Sequence, residues 1–122
     1  MAIDILLIDD DPDFSIMLRT LLRGKDFQVH TAYTGEDGIE ACRQETPEVV
    51  ILDLLMPEMD GWATCHAIRE FSQVPILILS VIDKPELVAR ALDEGADDYL
   101  VKPVPLNVLV ARLKTLARRS HP

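Results

Sequence analysis

The sequence predicts an α/β protein in which a doubly wound, five-stranded parallel sheet carries five helices on its two faces. Short apolar runs rich in strand-forming residues alternate with helix-period apolar stripes along the 122 residues. The central run, Val49–Leu52, is apolar at every position, as expected for a parallel strand buried on both faces. This alternation favours a parallel sheet with right-handed crossovers, and the length suits one domain.

Each element in the first half has a local signal. After the first apolar run, Asp11 and Pro12 supply an N-cap and a first-turn proline for a helix that Gly24 closes. The second helix is more weakly amphipathic than the first.

In chain order, the predicted strands cover residues 5–8, 29–32, 49–52, 75–79 and 99–101. The predicted helices cover residues 14–22, 35–44, 62–70, 84–94 and 106–116.

The second half has equally clear boundaries. A turn-rich segment at residues 56–61 separates the third strand from the third helix. Gly95 ends the fourth helix, and a short fifth strand follows. The last helix carries a stripe of leucine and valine, with Arg118 and Arg119 near its C-terminus, where cations suit the helix dipole.

The composition excludes several classes of function. The chain has 12 Lys and Arg against 21 Asp and Glu, a formal charge of -9, and 48% apolar residues. This charge disfavours nucleic-acid binding, which depends on basic residues that neutralise phosphates. No apolar stretch approaches the roughly 18–20 residues that span a bilayer, and the N-terminus lacks signal-peptide features. We expect a cytoplasmic domain that contacts neither nucleic acid nor membrane.

The cysteines and histidines show no metal-ligand spacing. Cys42 and Cys65 lie far apart in the sequence, and we expect two reduced thiols in or near the core. His30, His66 and His121 are expected on the surface or on helix faces. The sequence therefore gives no indication of a zinc site.

Polar residues follow four of the predicted strands. Asp9 and Asp10 follow the first strand and Asp53 follows the third, while Ser80 and Lys102 follow the fourth and fifth. Ligands of doubly wound sheets bind at the carboxyl ends of the strands. If the first and third strands are neighbours, the three carboxylates converge in one small pocket.

Such a pocket suits a hard cation and phosphoryl chemistry. Three carboxylates repel one another unless a cation joins them, and oxygen ligands suit Mg²⁺. Asp53 has the chemistry of a nucleophile toward phosphorus. Lys102 and the Ser80 hydroxyl would then contact the other phosphoryl oxygens.

Four motifs of the sequence belong together: Leu7-Ile8-Asp9-Asp10-Asp11-Pro12, the segment from Asp53 to Gly61, Leu79-Ser80, and the segment from Gly95 to Pro103. Through these motifs the sequence resembles the receiver, or phosphoacceptor, domain of two-component response regulators over residues 3–119. The last third resembles receivers of winged-helix transcription factors. The resemblance implies a flavodoxin-like sheet of order 2-1-3-4-5. It assigns residues 1–119 to this domain and residues 120–122 to a linker or tail.

The resemblance also implies roles for the pocket residues. Asp53 is expected to be the phosphoacceptor. Asp10 is expected to bind Mg²⁺ directly and Asp9 through water, and the backbone carbonyl of Leu55 is the implied third protein ligand. These expectations make Mg²⁺ the cofactor of the site.

Four residues at the ends of the fourth and fifth strands complete the implied site. Lys102 is expected to pair with the phosphoryl group, and Pro103 to follow a cis peptide bond. Ser80 and Tyr99 resemble a switch pair, in which the hydroxyl moves to the phosphate and the aromatic ring rotates inward. Phosphorylation would thereby change the face formed by helix four, strand five and helix five.

That face resembles a homodimer interface used on phosphorylation. Its implied charges are Asp97, Asp98, Arg112 and Arg119.

Four positions depart from the family pattern. Val88 and Val108 stand where a basic and an acidic residue are usual, Val81 where a small residue is usual, and Val104 where Phe is usual.

The implied function is a signalling switch phosphorylated by a sensor histidine kinase, and not an enzyme that turns over external substrates. Kinase specificity is expected at Phe14, Ser15, Leu18, Val104 and Pro105. The sequence is expected to be either a receiver excised from a regulator with a DNA-binding effector domain or a single-domain regulator.

Two other functions are considered. A Mg²⁺-dependent phosphatase of the haloacid-dehalogenase type would use Asp9 and Asp11 as an Asp-x-Asp pair, but no Thr follows them and no substrate cap is apparent. A pseudo-receiver that only dimerises is disfavoured by the intact set of acids.

Overall fold

The computed structural model describes residues 2–120 and contains all ten predicted elements. The strands are β1 Ile3–Ile8, β2 Phe27–Ala32, β3 Val49–Leu52, β4 Ile76–Ser80 and β5 Asp98–Val101. The helices are α1 Pro12–Arg23, α2 Gly35–Glu45, α3 Gly61–Arg69, α4 Pro85–Asp93 and α5 Leu106–Ser120. The predicted α/β class is therefore confirmed.

The five strands form one parallel sheet of order β2-β1-β3-β4-β5, as the resemblance implied. The central pairings align Ile8 with Leu52 and Leu52 with Ile78. Successive strands are added in opposite directions on the two sides of the β1–β3 pair: β2 lies outside β1, whereas β4 and β5 lie beyond β3. This is the switch point at which doubly wound sheets open a crevice for ligands.

The sheet separates two hydrophobic clusters. Alternate strand residues, such as Leu52 and Ile78, face a cluster with α2, α3 and α4, which includes Trp62. Their neighbours, such as Ile51 and Leu77, face a second cluster with α1 and α5. Because β1, β3 and β4 have apolar residues on both faces, continuous apolar runs were the correct signal for these buried strands.

Most element boundaries differ from the predictions by one or two residues, whereas α5 ends at Ser120, four residues later than predicted. Both β1 and β2 begin two residues earlier than predicted, because Ile3 pairs with Phe27. Gly24 is the C-cap of α1, but its φ of -67° is right-handed, so no left-handed conformation requires glycine there. Gly95, in contrast, follows α4 with a φ of 115°, a region open chiefly to glycine.

The remaining predictions about the chain have mixed outcomes. Cys42 and Cys65 are both free and buried, as predicted. No helix within residues 2–120 is long and apolar enough to cross a membrane. The α5 helix continues to Ser120, whose hydroxyl donates to the Glu48 carbonyl at 2.7 Å. Met1, His121 and Pro122 lie outside the described residues, as does most of the predicted tail. The cytoplasmic location stays a prediction.

Candidate functional site

The pocket forms because parallel pairing brings the carboxyl ends of four strands to one edge. The Asp53 amide donates to the carbonyl of Ile8 at 3.0 Å, which continues the β1–β3 pairing by one residue. On the other side, the Lys102 amide donates to the carbonyl of Ser80 at 2.8 Å. The residues that follow these strands therefore face one another across the sheet edge.

Three carboxylates meet there. Asp9, Asp10 and Asp53 each offer an oxygen, and these oxygens lie within 4.8 Å of one another. Asp9 is 1% exposed and Asp53 8% exposed, whereas Asp10 is exposed to solvent. Two largely desolvated carboxylates beside a third need a compensating cation. An all-oxygen donor set of this kind suits a hard divalent cation.

Lys102 supplies part of the compensating charge. Its Nζ donates to Asp9 Oδ2 at 2.9 Å and lies 3.5 Å from Asp53 Oδ2. The same Nζ lies 4.0 Å from the centroid of the Phe14 ring, and 17% of the lysine side chain is exposed. The lysine was expected at this edge from sequence. The Phe14 contact was not, because Phe14 belongs to the apolar stripe of α1.

Asp53 is bound by the loop that follows it. Its Oδ1 accepts hydrogen bonds from the amides of Leu54 at 2.7 Å and Leu55 at 3.4 Å. Burial raises the pKa of the Asp53 carboxyl, and the nearby Asp9 charge adds to the rise. Lys102 and the two amides oppose it. The uncharged form of Asp53 is thus favoured more than in an exposed aspartate.

The loop after Asp53 is held close to α3 by two residues. Asp60 caps α3 by accepting a hydrogen bond from the Ala63 amide at 2.9 Å. A Cβ on Gly61 would lie 2.6 Å from the Leu54 Cα, so glycine is required for this approach. The turn-rich segment recognised in the sequence therefore fixes the backbone beside Asp53.

Asp11 is engaged in capping α1. Its Oδ1 accepts hydrogen bonds from the amides of Asp13 at 3.0 Å and Phe14 at 3.1 Å. The Asp11 amide in turn donates to Asp9 Oδ1 at 3.0 Å. Since the Asp11 carboxylate binds its own helix, the Asp-x-Asp spacing here is explained by a helix cap.

Ser80 and Tyr99 both bind one residue of the loop between β4 and α4. The Tyr99 hydroxyl donates to the Ile82 carbonyl at 2.6 Å, and the Ser80 hydroxyl accepts from the Ile82 amide at 3.3 Å. Burial raises the pKa of Tyr99, and the nearby Ser80 hydroxyl opposes the rise. Ile82 thus joins the two residues assigned to the switch, a role that its apolar side chain does not reveal in the sequence.

Two further predictions concern backbone groups near the pocket. The Lys102–Pro103 peptide bond is cis. The Leu55 amide lies near Asp53, but the role of the Leu55 carbonyl as a metal ligand stays a prediction. Val81 is 60% exposed directly after Ser80, so its bulk lies on the outer side of the loop.

The charges assigned to a dimer face pair within the chain. Asp98 forms an ion pair with Arg112 at 2.9 Å. Asp97 accepts from Arg69 at 2.8 Å and lies 3.5 Å from Arg119. Asp97 also accepts the Ile76 amide at 2.8 Å. Asp97 therefore joins α3 to the start of β4 within the chain.

Apolar residues accompany these charges on α4, β5 and α5. Val88 and Val108 are half-buried, whereas Leu92 and Val101 are exposed. The sequence did not single out the last two, because isolated apolar residues on a short helix and a short strand resemble core positions. The role of this surface in dimerisation stays a prediction.

The residues expected to contact a kinase are only partly accessible. Ser15 and Leu18 are buried, so their side chains are not open to a partner in this structure. The role of the five residues in kinase specificity stays a prediction. The exposed apolar residues of α1 are Ile16, Met17 and Leu21. Of the predicted apolar stripe of α1, Leu18 and Leu22 are buried as expected, whereas Met17 and Leu21 are exposed. The expectation that these two residues pack in the core is therefore wrong.

The histidines do not enter the pocket. His30 lies 3.9 Å from Glu45 and His66 lies 2.9 Å from Glu94, and both side chains are well exposed. The prediction of surface positions is confirmed for these two residues.

The fold and the site together define a class of small α/β domains with an acidic pocket that can bind a cation. Their shared features are a five-stranded sheet of this order and, at its carboxyl edge, clustered carboxylates, a hydroxyl and a lysine. Residues 5–114 match the response regulator receiver domain, so the chain belongs to that family. It shares the family with parts of larger transcriptional regulators of two-component systems.

Curated relatives support this assignment. The chain is 39% identical over 117 residues to the transcriptional regulatory protein AfsQ1 of Streptomyces coelicolor, covering 96% of this chain and 52% of the relative. It is also 39% identical over 117 residues to the DNA-binding response regulator MtrA of Mycolicibacterium smegmatis, covering 96% and 51%. The chain thus spans about half the length of these relatives.

Solved structures agree closely with the fold. A two-component response regulator from Clostridium difficile superposes with a TM-score of 0.92 at 32% identity, covering 98% of this chain and 99% of the other. The BeF3-activated receiver domain of RstA from Klebsiella pneumoniae gives a TM-score of 0.91 at 32% identity, covering 94% and 98%.

Proposed function

We propose that this receiver domain is a signalling switch that accepts a phosphoryl group on Asp53 from a sensor histidine kinase, with Mg²⁺ as cofactor. The observation that carries the proposal is the convergence of Asp9, Asp10 and Asp53 beside Lys102 at the carboxyl edge of the sheet. Membership of the family implies the histidine kinase partner.

The donor set of the pocket fits Mg²⁺. Asp10 and Asp53 would bind the ion directly, Asp9 through water, and the Leu55 carbonyl would add a further oxygen. Because Asp10 is exposed, the ion has a path from solvent and keeps room for water ligands. When bound, Mg²⁺ supplies positive charge to phosphoryl oxygens.

The residues of the chain then have separate parts in the transfer. A carboxylate oxygen of Asp53 attacks the phosphorus of the kinase phosphohistidine. The P–O bond forms as the P–N bond breaks, and the imidazole nitrogen that leaves takes up a proton. The Leu54 and Leu55 amides orient the carboxylate. The ammonium of Lys102, 3.5 Å from Asp53, then donates hydrogen bonds to the new phosphoryl oxygens.

The same charge change drives the switch. A phosphoryl group on Asp53 presents oxygens to the Ser80 hydroxyl, which then leaves the Ile82 amide. Tyr99 loses its fixed acceptor when the loop shifts, and its ring turns into the space that Ser80 vacates. Two hydrogen bonds to Ile82 are therefore the contacts that phosphorylation exchanges.

The output is a dimer formed through α4, β5 and α5. The exposed guanidinium groups of Arg112 and Arg119 would exchange Asp98 and Asp97 of their own chain for those of a second copy. Val88 and Val108 would replace an ion pair by an apolar contact. The relatives include a DNA-binding regulator about twice as long, and an effector domain of that kind is the proposed target of the switch.

This proposal makes the protein an acceptor that assists its own phosphorylation and dephosphorylation, without turnover of external substrates. The kinase would contact the exposed apolar face of α1 and the neighbouring loop after β5, at Phe14, Val104 and Pro105. Direct nucleic-acid binding by this domain is disfavoured by its charge of -9.

The test uses acetyl phosphate as donor with Mg²⁺, followed by intact mass spectrometry and sedimentation velocity. We expect one added phosphoryl group with Mg²⁺ and none when EDTA replaces Mg²⁺. The phosphorylated sample should shift from monomer to dimer. Asp53→Asn should remain unmodified, whereas Asp37→Asn, which removes an exposed carboxylate on α2, should be modified normally. A phosphoryl group that persists in Asp53→Asn would contradict the proposal.

A further inference from the structure

Phe14 lies face-on to the ammonium of Lys102, and we propose that it is a positioning residue that holds this ammonium in place for phosphoryl transfer. The inference rests on the proposed function, which gives Lys102 its part in the reaction. The Lys102 Nζ lies 4.0 Å from the ring centroid, 2.9 Å from Asp9 Oδ2 and 3.5 Å from Asp53 Oδ2. An ammonium has three N–H donors, and these three groups surround it.

The position of Phe14 is fixed by the same turn that carries the acids. The Phe14 amide donates to the Asp11 carboxylate at 3.1 Å, and the Asp11 amide donates to Asp9 at 3.0 Å. The ring also packs partly buried against the cluster under α1 and α5, next to Leu18 and Val104. The aromatic face is therefore held at a set distance from Asp9, and Lys102 lies between them.

An aromatic ring acts on the ammonium differently from a carboxylate. The ring is neutral overall, but the partial negative charge on its face attracts the cation. Unlike a carboxylate, it has no lone pair that accepts a hydrogen bond from the ammonium. Asp9, at the shorter distance, draws the ammonium away from Asp53. The ring holds Lys102 in the pocket while its N–H groups turn from the carboxylates to the phosphoryl oxygens.

The first test compares rates of phosphorylation by acetyl phosphate with Mg²⁺, because a small donor avoids the kinase surface to which Phe14 also belongs. In Phe14→Leu, which keeps an apolar side chain but removes the ring face, we expect phosphorylation about 3–10-fold slower. Phe14→Tyr should restore the rate. The matched control is Phe71→Leu, which removes a ring 4.2 Å from the Arg43 guanidinium near the opposite edge of the sheet and should leave the rate unchanged.

A graded series separates ring electrostatics from shape. Fluorinated phenylalanines at position 14 preserve the ring but weaken its negative face, so the rate should fall stepwise with fluorine number. This series also keeps the proposal testable if Phe14→Leu does not fold.

A second readout needs no phosphoryl donor. In the NMR spectrum of the unphosphorylated protein, the Lys102 ε-methylene protons should be shifted upfield by the ring above them. The shift should vanish in Phe14→Leu and persist in Phe14→Tyr. An unshifted wild-type signal, a wild-type rate in Phe14→Leu, or a flat fluorine series would each overturn the positioning role. If wild-type protein takes up no phosphoryl group at all, the proposed function fails, and the role of Phe14 in transfer fails with it. If wild-type is phosphorylated and the variants match it, only the role of Phe14 fails.

Discussion

Asp53 has two kinds of neighbour, and they act on its carboxylate in opposite directions. Burial and the Asp9 charge raise the pKa of Asp53, while Lys102 and the amides of the following loop lower it. The rise prevails, so the ionised form costs free energy in the folded protein at neutral pH. A pocket that binds a cation and a phosphoryl group pays for that capacity with stability in their absence.

The first prediction follows from this cost. In EDTA at neutral pH, Asp53→Asn should unfold with a free energy about 1 kcal/mol higher than wild-type, because the amide carries no charge and its oxygen still accepts the Leu54 amide. A raised folded pKa means that this advantage exists above the ordinary pKa of an aspartate and disappears as the pH falls below it. Urea unfolding at several pH values measures it.

The control for this substitution is Asp37→Asn, in the first turn of α2, where the carboxylate is exposed. It removes the same charge without relieving a buried carboxylate and should give no gain. A lower unfolding free energy in Asp53→Asn than in wild-type would show that the contacts of the carboxylate outweigh its burial.

The acids and the lysine were predictable from sequence because they directly follow predicted parallel strands, whose carboxyl ends share one edge of the sheet. Phe14 was not predictable as a pocket residue. Its spacing from Met17 and Leu18 fits the apolar stripe of a helix, and it does contribute to that stripe. The contact with Lys102 joins residues that lie far apart in the chain, so only the folded sheet edge shows it.

At the scale of elements, the loop between β4 and α4 depends on few contacts. Its residue Ile82 is held by the Tyr99 hydroxyl and by Ser80, while its neighbours Val81 and Asp83 are exposed. Segments with few buried contacts open locally at low free energy. We therefore expect this loop to open locally at a lower free energy than the buried strands.

The second prediction concerns this loop. Tyr99→Phe removes the 2.6 Å hydrogen bond to Ile82 and should lower the free energy of unfolding by about 1 kcal/mol. It should also speed amide exchange in the loop, measured by hydrogen–deuterium exchange. The matched control is Tyr33→Phe, whose hydroxyl makes only a 3.5 Å contact with Thr31 at the surface. Equal exchange in both variants would refute a loop held by Tyr99.

Element types were predictable, and their ends less so. The cap at Asp11 and the buried run of β3 are local signals, and both agree with the structure. The first two residues of β2 were missed because Gln28 is polar, yet it pairs with Asp4 at the sheet margin. Pairing with a neighbouring strand, which sequence periodicity does not report, decides where such a strand begins.

At the scale of the whole molecule, two thiols are buried in the cluster that α2 and α3 form with the sheet. Burial raises the pKa of Cys65 to about 11, against the nearby Arg69 charge, and raises the pKa of Cys42 as well. The folded protein therefore keeps both thiols protonated at pH values at which the unfolded chain ionises them.

The third prediction is a loss of stability in alkali. Because the folded pKa of Cys65 exceeds its ordinary value, its contribution is fully present below about pH 8 and declines as the pH rises toward 11. By pH 10 the loss from Cys65 should be about 1 kcal/mol. Urea unfolding of wild-type and Cys65→Ala from pH 7 to 10 measures it, and the two curves should converge as the pH rises. Parallel curves would argue against it.

The global arrangement was predictable only in part from the residues. Alternating patterns gave the class and the parallel direction, and they suggested that polar strand ends share an edge. They did not give the strand order, which came from the resemblance to receivers and agrees with the sheet. Nor did they reveal that Asp98 and Arg112 pair within one chain, since charge alone does not choose between partners.

Burial of the central strands on both faces also determines how fast their amide protons exchange with solvent. The amide protons of β1, β3 and β4 are bonded within the sheet and shielded by both clusters, so they should exchange with solvent only when the whole domain unfolds. The adjoining loops exchange in smaller, faster openings. Asp53 and Ser80 lie at the boundary between these two regimes, because Asp53 directly follows β3 and Ser80 ends β4. We therefore expect a chemical change at Asp53 to alter amide exchange in the adjoining loops and to leave exchange in β1, β3 and β4 unchanged.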